Sequence, residues 1–453
     1  MSKPMSVNQS LLQAREADSV DPDTGTKFAW HALYSRAFFL SGQEVLVTLG
    51  PAGHLCLDQD DVVGVEVGGA EATVHYGSLP PSQPGDAARA RSTRRPRQLR
   101  LRLADAEEAS GFALAGRALY ERQVAPLLRA AGVSARVVAT AAAGEATSAV
   151  RELDPRSVEA IAVVGGDGTV HEVVQGLLGR PDWREAARLP LVQVPAGSGN
   201  GLAASTGLWS VFTAVHALVK GSLRPCDVAS VLQPGHARRF SFLSLTYGMI
   251  PNLDVGTDHL RFLGSVRFVL GAVWQILKQG TYEVHVAYVD VDKAAAERAP
   301  DALQREPGPP LRFAAAVEEV ARRTGAQGPA LLAQLPAPWE RLISGPIQFF
   351  AACNIPWLDT NFHVAPLTKL NDGHLTLLFN VGKRGRIQSL RLMSAMDSGQ
   401  HLDQLHCAKP IAFVLELGKN NDTWVVIDGE EVPHARAFVE VHPSLISVFV
   451  APH

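Results

Sequence analysis

The sequence predicts an α/β domain with a parallel sheet, followed by a β-rich domain of the sandwich or barrel type. Two apolar runs, at residues 161–164 and 191–194, each end in a glycine-rich turn, and helical periodicity follows the first turn. Beyond Pro225, short strand-like runs follow one another with few helical patterns between them. The length of 453 residues is sufficient for two or three domains.

The composition limits the class of protein and its partners. A formal net charge of −3 gives no general attraction to nucleic acid, so we expect no nucleic-acid partner. The four cysteines form no CxxC pair, which indicates neither a zinc site nor a disulfide framework and favours reduced thiols. No signal-peptide pattern is present, and no apolar run approaches the ~18 residues of a membrane span. We therefore expect a cytoplasmic protein that associates with membranes peripherally.

The N-terminal quarter predicts a small module distinct from the α/β domain. Residues 1–27 are polar and acidic, which predicts disorder. Residues 28–115 predict a β-rich module, with a pleckstrin-homology-like fold as one candidate, that closes with a helix at residues 104–115. Residues 80–97 are rich in proline and arginine, and they predict either a solvated loop or a contact with anionic lipid headgroups. The predicted strands are residues 38–40, 45–49, 62–67, 72–76 and 99–103.

Strands alternate with helices in residues 116–224, which defines the predicted α/β domain. Helical periodicity covers residues 118–131, and the next helix is expected at residues 146–153, with a strand at 133–139 between them. A last helix is expected to begin after Ser210 and to end at Gly221. This alternation implies parallel pairing through right-handed crossovers.

Residues 225–453 predict the β-rich second domain. An alanine- and proline-rich tract at residues 292–338 interrupts it, and we expect a loop insertion with one helix at residues 313–323. A further helix is expected at residues 384–396. The predicted strands are residues 227–232, 240–247, 282–291, 347–353, 375–379, 411–417, 424–427, 437–440 and 446–450.

The first glycine turn carries a single carboxylate, in the order Gly165-Gly166-Asp167-Gly168. Glycines allow a ligand to approach the backbone closely, and the following helix directs its free N–H groups to the same place. Asp167 is therefore a candidate to accept a proton from a substrate hydroxyl or to bind a metal. The alternative is a turn-forming or helix-capping residue. His171 and Glu172, on the following helix, are expected to be solvated or to act as caps.

The second glycine turn is Pro195-Ala196-Gly197-Ser198-Gly199-Asn200-Gly201. Its backbone N–H groups and the Ser198 and Asn200 side chains can donate to phosphate oxygens, although alone it would be an ordinary loop. Because the carboxyl ends of neighbouring parallel strands meet at one sheet edge, the two turns predict a phosphate-binding crevice. The predicted cofactor-binding residues of the two turns are Gly165, Gly166, Gly168, Thr169, Gly197, Ser198, Gly199 and Asn200.

Other charged residues carry no signal in isolation. Asp428-Gly429-Glu430 is typical of a hairpin turn, Arg261 and Arg267 are typical of surface charges, and Asp254 is typical of a loop carboxylate. Neither the spacing of a histidine metal site nor that of a Ser/His/Asp triad is found.

The two glycine turns and their flanks resemble the sphingosine kinase family, within the wider group of diacylglycerol-kinase-type lipid kinases. The segments concerned are VVGGDGTVHEVVQGLLGRPDW at residues 163–183 and VPAGSGNGLAAS at residues 194–205. NAD kinases share only the GGDGT-type turn. Three further segments are similar to the family's lipid-contacting and late DGE motifs: residues 247–254, residues 261–268 and residues 426–430.

The resemblance implies an α/β nucleotide domain, a β-rich lipid domain and an active site that transfers the γ-phosphoryl of Mg-ATP. The acceptor would be the primary hydroxyl of a long-chain base. By position, Asp167 matches the family's general base and Asp254 the carboxylate that binds the ammonium of the base. Arg261 and Arg267 match the arginines that bind the ATP phosphates. Glu430 matches the acidic residue near Mg²⁺.

The sequence departs from the family at one place. The family begins its nucleotide domain with an apolar strand and an asparagine-proline, glycine-rich loop before the helix that matches residues 118–131. Here that place holds only residues 111–117, which indicates a truncated nucleotide domain and predicts weak ATP binding. Two alternatives follow: a kinase for another lipid alcohol such as diacylglycerol, or a lipid-binding protein without catalytic activity.

Overall fold

The fold was analysed in a computed structural model of the chain. The residues described are 119–140, 142–197, 199–254, 278, 280–294, 307–418 and 423–452, with only the backbone of 253–254 and 293–294, and the backbone of seven strands between residues 19 and 102. Ser198, Arg261, Arg267 and the predicted helix at 104–115 lie outside them, as does the predicted strand at 38–40.

The elements follow in chain order. The strands are β1 (Ser19–Val20), β2 (Lys27–Phe28), β3 (Val45–Leu49), β4 (Gly53–Leu57), β5 (Val62–Gly68), β6 (Glu71–Ser78), β7 (Arg95–Arg102), β8 (Ile161–Gly165), β9 (Leu191–Pro195), β10 (Leu223–Leu232), β11 (Arg239–Ser241), β12 (Ser244–Gly248), β13 (Tyr282–Asp290), β14 (Glu340–Ile347), β15 (Phe349–Cys353), β16 (Thr376–Phe379), β17 (His406–Ala408), β18 (Pro410–Leu417), β19 (Val425–Ile427), β20 (Glu430–Val432) and β21 (Ala437–Phe449). The helices are α1 (Ala125–Ala130), α2 (Glu145–Glu152), α3 (Asp167–Leu178), α4 (Trp183–Ala186), α5 (Gly201–Ser205), α6 (Val211–Lys220), α7 (Met249–Asp254), α8 (Val291–Ala294), α9 (Ala314–Thr324), α10 (Pro329–Leu332) and α11 (Arg386–Met396). A π-helical turn (Tyr120–Val124) precedes α1, and single 3₁₀ turns lie at Pro155–Ser157 and Leu402–Gln404. In the described parts of the chain, no helix has the length and apolar character needed to cross a bilayer.

The chain forms two compact units. The first comprises Met1–Ala139, Gly207–Ser222 and Ala451–His453, and the second comprises Thr140–Thr206 and Leu223–Val450. The second unit therefore contains both glycine turns together with the whole β-rich region.

The first unit contains β1 to β7, α1 and α6. Antiparallel pairing joins β1 to β2, β3 to β4, and β5, β6 and β7 in that order. The β-rich character predicted for this region is present, whereas a pleckstrin-homology-like fold and the disorder of residues 1–27 stay predictions. The predicted limits of α6 are confirmed, because Ser210 and Thr213 form a capping box and Gly221 ends the helix at a φ of 68°.

The strand predicted at residues 133–139 is wrong. Within the described residues this segment has no strand partner, and the side chains of Val137 and Val138 are 54% and 57% exposed. A β-branched run forms a strand only where another strand satisfies its backbone N–H and C=O groups, and none is described here.

The second unit is built on two sheets. The first sheet has the antiparallel order β11-β10-β21-β18-β13-β14 and continues from β21 through the parallel strands β9 and β8. The second sheet has the antiparallel order β17-β16-β15-β12-β19-β20. The parallel pairing expected for β8 and β9 is confirmed, with Ile161 opposite Leu191. Because β9 also pairs in parallel with the end of β21, β8 and β9 extend a sheet of the sandwich instead of forming a sheet of their own.

The two sheets pack face to face as a sandwich with a helix layer on each outer side. Phe350 and Phe413 meet in the core between the sheets, with their ring centroids 6.2 Å apart. On the outer face of the first sheet, α9 buries Val317 and Val320. On the outer face of the second sheet, α11 buries Leu392. The four layers bury side chains on both faces of each sheet, which explains the near-continuous apolar strands.

Several element predictions need correction. The insertion at residues 292–338 has the expected helix, but it also contains α10, and both helices pack on the outer face of the first sheet. The run at residues 240–247 is two strands, β11 and β12, that enter different sheets. The two strands expected at the C-terminal end are one continuous strand, β21.

Both ends of α2 are held by the segment that contains α3. At the N-terminal end, the Glu172 carboxylate accepts the N–H groups of Gly144 and Ala146 at 2.8 and 3.0 Å, so Glu172 is a cap. At the C-terminal end, Nη1 of Arg180 donates to the carbonyls of Val150, Arg151 and Leu153 at 2.7, 2.9 and 2.6 Å. Asp182 binds the other edge of the same guanidinium through two bonds of 2.7 Å. The RPDW segment (residues 180–183) therefore holds the C-terminal end of α2, and we call it a structural clamp.

Replacing Arg180 with alanine leaves these carbonyls in a largely buried place without a donor. We expect Arg180→Ala to lower the free energy of unfolding by about 2–4 kcal/mol, measured by urea denaturation. Arg156→Ala is the matched control, because Arg156 pairs with Glu185 but its side chain is 78% exposed and solvent screens the pair. Equal effects of the two substitutions would contradict the clamp.

Candidate active site

The two glycine turns touch each other through their backbones. A Cβ atom on Gly197 would lie 2.2 Å from the Cα of Gly166, and one on Gly166 would lie 2.8 Å from the carbonyl oxygen of Gly199. The N–H of Asp167 donates to that same carbonyl at 3.1 Å. No larger residue fits at either contact. The sequence was therefore right to place the two turns side by side.

Asp167 is buried between the turns, with only 6% of its surface exposed. Its two carboxylate oxygens accept the N–H groups of Gly201 and Leu202, the first residues of α5, at 2.6 and 3.1 Å. Burial raises the pKa of Asp167 to about 6, against the lowering effect of these two donors. The residue is thus a helix cap and also a carboxylate that changes protonation close to neutral pH, as a general base requires.

Asn200 stabilises its own turn. Its side-chain amide accepts the N–H of Gly197 at 3.1 Å and donates to the carbonyl of Gly197 at 2.8 Å. One N–H of this amide is used within the turn and a second is left, so donation from the Asn200 side chain to a phosphate stays a prediction. Thr169 lies over the first turn, where a Cβ atom on Gly165 would be 2.9 Å from its hydroxyl oxygen.

Asp359 is a second carboxylate at this place, and no motif in the sequence pointed to it. Its Oδ1 accepts the N–H of Asn200 at 3.3 Å, and its negative charge contributes to the raised pKa of Asp167. The carbonyls of Trp357 and Leu358 lie against Gly201, where a Cβ atom would approach them to 2.7 and 2.9 Å. A loop after β15 therefore brings Asp359 to the glycine turn.

The Asp428-Gly429 pair forms the predicted hairpin turn between β19 and β20. Both residues have positive φ, 53° and 89°, as a two-residue turn between antiparallel strands requires. Asp428 is 1% exposed, and its carboxylate is surrounded by hydrogen-bonding groups. These are His171 Nδ1 at 2.9 Å, the Ser241 hydroxyl at 2.7 Å and the N–H groups of Phe242, Leu243 and Ser244 at 3.1, 3.0 and 3.0 Å.

This turn carries Glu430 to the first glycine turn. A Cβ atom on Gly168 would lie 2.9 Å from Oε1 of Glu430. Glu430 is exposed, and among the described residues its carboxylate has no hydrogen-bond or ion-pair partner. His171, expected to be solvated or capping, is buried instead and contacts Asp428, which fixes the turn relative to α3.

The structure therefore brings together Asp167, the glycines of both turns and Glu430. The Asp254 side chain at the end of α7 lies outside the described part of the chain, as do Ser198, Arg261 and Arg267. No cluster of three or more metal-ligating side chains occurs in the part of the chain that the structure describes. A single open carboxylate nevertheless fits Mg²⁺, which commonly binds through one or two carboxylates, substrate phosphates and water.

Comparisons with known proteins find two matching family models and several similar proteins. Residues 106–231 match the diacylglycerol kinase catalytic domain, and residues 254–450 match the YegS C-terminal NAD kinase beta sandwich-like domain. Sphingosine kinase 1 of Rattus norvegicus is 28% identical over 343 residues, which cover 72% of this chain and 85% of the relative. Sphingosine kinase 1 of Arabidopsis thaliana is 31% identical over 316 residues, covering 68% and 62% respectively. A diacylglycerol kinase structure from Bacillus anthracis aligns with a TM-score of 0.46 at 16% identity, over 69% of this chain and 84% of that one.

The electrostatic influence of Asp359 on Asp167 can be measured directly. Asp359→Asn removes a negative charge but keeps an oxygen to accept the N–H of Asn200, so the pKa of Asp167 should fall. The measurement is a ¹³C NMR titration of the aspartate carboxyl groups, with the Asp167 signal identified by its loss in Asp167→Asn.

Because the pKa of Asp167, about 6, exceeds the ordinary 3.8, the folded chain keeps a proton that the unfolded chain loses between these values. The contribution of Asp167 to stability therefore falls as the pH rises from 3.8 to about 6.

The control for this titration is Asp397→Asn, which makes the same charge change at an exposed position beyond α11. A titration midpoint of Asp167 that moves equally in both variants, or in neither, would contradict the electrostatic influence of Asp359 on Asp167.

Proposed function

Since the chain belongs to the sphingosine kinase-like family of lipid kinases, we propose that it transfers the γ-phosphoryl of ATP to the primary hydroxyl of sphingosine or a related long-chain base. A kinase-type catalytic domain implies the use of ATP, and the relatives imply a lipid acceptor. The observation that carries the proposal is the buried Asp167 between two touching glycine turns, with Glu430 beside Gly168.

In the proposed reaction, Asp167 accepts the proton of the attacking hydroxyl while that oxygen forms its bond to the γ-phosphorus and the bond to ADP breaks. Each carboxylate oxygen already accepts one backbone N–H and keeps a second lone pair for this proton. Because phosphoryl transfer depends mainly on positioning and on neutralisation of charge, a fixed carboxylate and a close glycine backbone suit this chemistry.

Glu430 is the proposed ligand for Mg²⁺, and it is held by the Asp428 turn at the N-terminal end of α3. When bound, Mg²⁺ would neutralise charge on the ATP phosphates. Arg261 and Arg267 are proposed to bind the same phosphates, because they occupy the family's positions for these contacts. The α3 N-terminus adds a positive partial charge at the same place.

Asp254 is proposed to bind the ammonium of the long-chain base. Its position at the end of α7 follows directly from β12, the strand next to the Asp428 hairpin. A diacylglycerol has no ammonium, so this contact would separate the two classes of substrate. We propose further that the lipid comes from a membrane with which a cytoplasmic chain associates peripherally.

The second candidate function is lipid binding without catalysis. It is favoured by the missing strand and loop before residue 118 and by the segment 133–139, which has no strand partner among the described residues. Within those residues β8 pairs only with β9, so no described strand supplies a third glycine loop. Even three lost phosphate contacts of about 1.5 kcal/mol each would weaken ATP binding roughly 10³-fold.

The test of the main proposal is transfer of radiolabelled phosphate from ATP to sphingosine, diacylglycerol and other lipid alcohols. Asp167→Asn is expected to lower turnover roughly 10²–10⁴-fold, since a positioned base is lost. It should also lower the stability, because an asparagine offers one oxygen and an NH₂ group to two N–H donors. The change therefore needs a control of similar stability.

Arg180→Ala is that control, because it weakens the fold at the end of α2 without touching either glycine turn. Parental turnover in Asp167→Asn, or an equal loss in Arg180→Ala, would reject Asp167 as the base. Calorimetry of ATP binding distinguishes the second function: a chain that binds sphingosine but neither binds nor hydrolyses ATP is a lipid-binding protein.

The substrate class is tested at Asp254. A charge-assisted contact contributes about 1.5–3 kcal/mol, so Asp254→Asn should weaken the binding of sphingosine by ~10–100-fold. The KM for a neutral lipid alcohol, measured in the same phosphate-transfer assay, should hardly change. Equal losses for the amine-bearing and neutral lipids would show that Asp254 does not recognise the amine.

A further inference from the structure

The outer side of α11 and the segment before it expose a cluster of apolar and basic side chains. The exposed fractions of Val381, Ile387 and Leu390 are 55%, 68% and 54%. Lys383, Arg386 and Arg391 are exposed among them. We call these six residues the α11 surface.

The apolar residues of the α11 surface lie on the side of the helix away from the core. Leu392 and Met396 are 1% and 0% exposed and pack on the second sheet, whereas Ile387 and Leu390 project from the opposite side. Single exposed apolar residues are ordinary, whereas three large ones within ten residues are a feature that points to an interaction surface.

The charge of this segment has one sign. Residues 380–396 contain one lysine and three arginines, and no aspartate or glutamate. A helix with apolar residues on its outer side and cations around them has the character of an interfacial helix that binds an anionic bilayer.

The α11 surface is structurally linked to the proposed lipid site. The buried side of α11 shares a core with Met249 and Ile250 of α7, the helix that ends at Asp254. Gln348 connects the same two regions, because its side chain accepts the N–H of Arg384 at 2.6 Å and its carbonyl accepts the N–H of Met249 at 2.9 Å. A contact made by the α11 surface is thus adjacent in the fold to the segment expected to receive the lipid.

We propose that the α11 surface is the membrane-docking surface of this protein, with an anionic bilayer as its partner. Val381, Ile387 and Leu390 enter the boundary between headgroups and acyl chains, while Lys383, Arg386 and Arg391 contact lipid phosphates. The inference rests on the proposed function for its purpose, since a kinase of a membrane lipid must reach a bilayer.

The test is co-sedimentation of the full chain with vesicles of phosphatidylcholine, with and without phosphatidylserine, in the absence of ATP. Each cation lost from a membrane contact weakens partitioning about fivefold, so the double substitution Lys383→Gln, Arg391→Gln should reduce binding to the anionic vesicles about 30-fold. The double substitution Ile387→Ser, Leu390→Ser should reduce it at least about tenfold by removing apolar burial. Both variants alter exposed residues, so thermal unfolding should stay close to that of the parent.

The matched control is Arg322→Gln, Arg323→Gln, which removes two exposed cations from α9 on the other outer side of the sandwich and should leave partitioning unchanged. Parental binding by both α11 variants would overturn the proposal and direct attention to the arginine-rich residues 89–100. Absence of binding to anionic vesicles by the parent chain would also overturn it, and the α11 surface would then be a protein contact.

Turnover on sphingosine in detergent micelles is measured in parallel. Unchanged micellar turnover with weakened vesicle binding supports the docking surface. If the parent chain phosphorylates sphingosine in micelles but does not bind vesicles, the docking proposal is rejected and the proposed function is not. An inactive chain that still binds vesicles through the α11 surface removes the proposed function alone.

Discussion

The contact between the two glycine turns is the constraint on which the rest of the site depends. With Gly166 and Gly197 in backbone contact, the ends of β8 and β9 lie side by side, and the buried side chain of Asp167 bonds across from one turn to the other. Its carboxylate joins the end of one strand–turn unit to the first turn of α5 in the other. The same bonds that hold Asp167 in place remove it from water, and this burial brings its pKa into the range useful for proton transfer. Structural and chemical roles of this residue are therefore inseparable.

A second buried carboxylate connects this crevice to the sandwich. Asp428 receives donors from the residues before β12 and contacts His171 on α3, so the hairpin that carries Glu430 cannot shift without leaving several buried polar groups without partners. Asp428 accepts five hydrogen-bonding groups with its two carboxylate oxygens. It positions the exposed Glu430 while staying buried itself.

The sequence predicted those parts of the structure that depend on residues close together in the chain. The strand–turn–helix unit around Asp167, the cap at Ser210 and the hairpin at Asp428 were each readable, because periodicity and turn chemistry extend over only a few residues. The irregular conformation of residues 133–139 could not be predicted, because apolar β-branched residues do not show whether a partner strand exists. Asp359 was missed for a related reason: only the packing of a distant loop on Gly201 brings it to Asp167. The RPDW segment suggested the family from its letters, but only the structure shows that Arg180 clamps α2.

The contact between His171 and Asp428 also bears on how the chain folds. The two residues are 257 positions apart in the sequence. The helix α3 can therefore form from its own sequence before the hairpin is in place to contact His171. Closing so long a loop carries an entropic cost that must be met before the contact contributes any stability. We therefore expect the crevice to be completed late in folding, when β19 and β20 pair beside β12. A substitution that slows the assembly of the sandwich would delay the formation of the site while leaving its own residues unchanged.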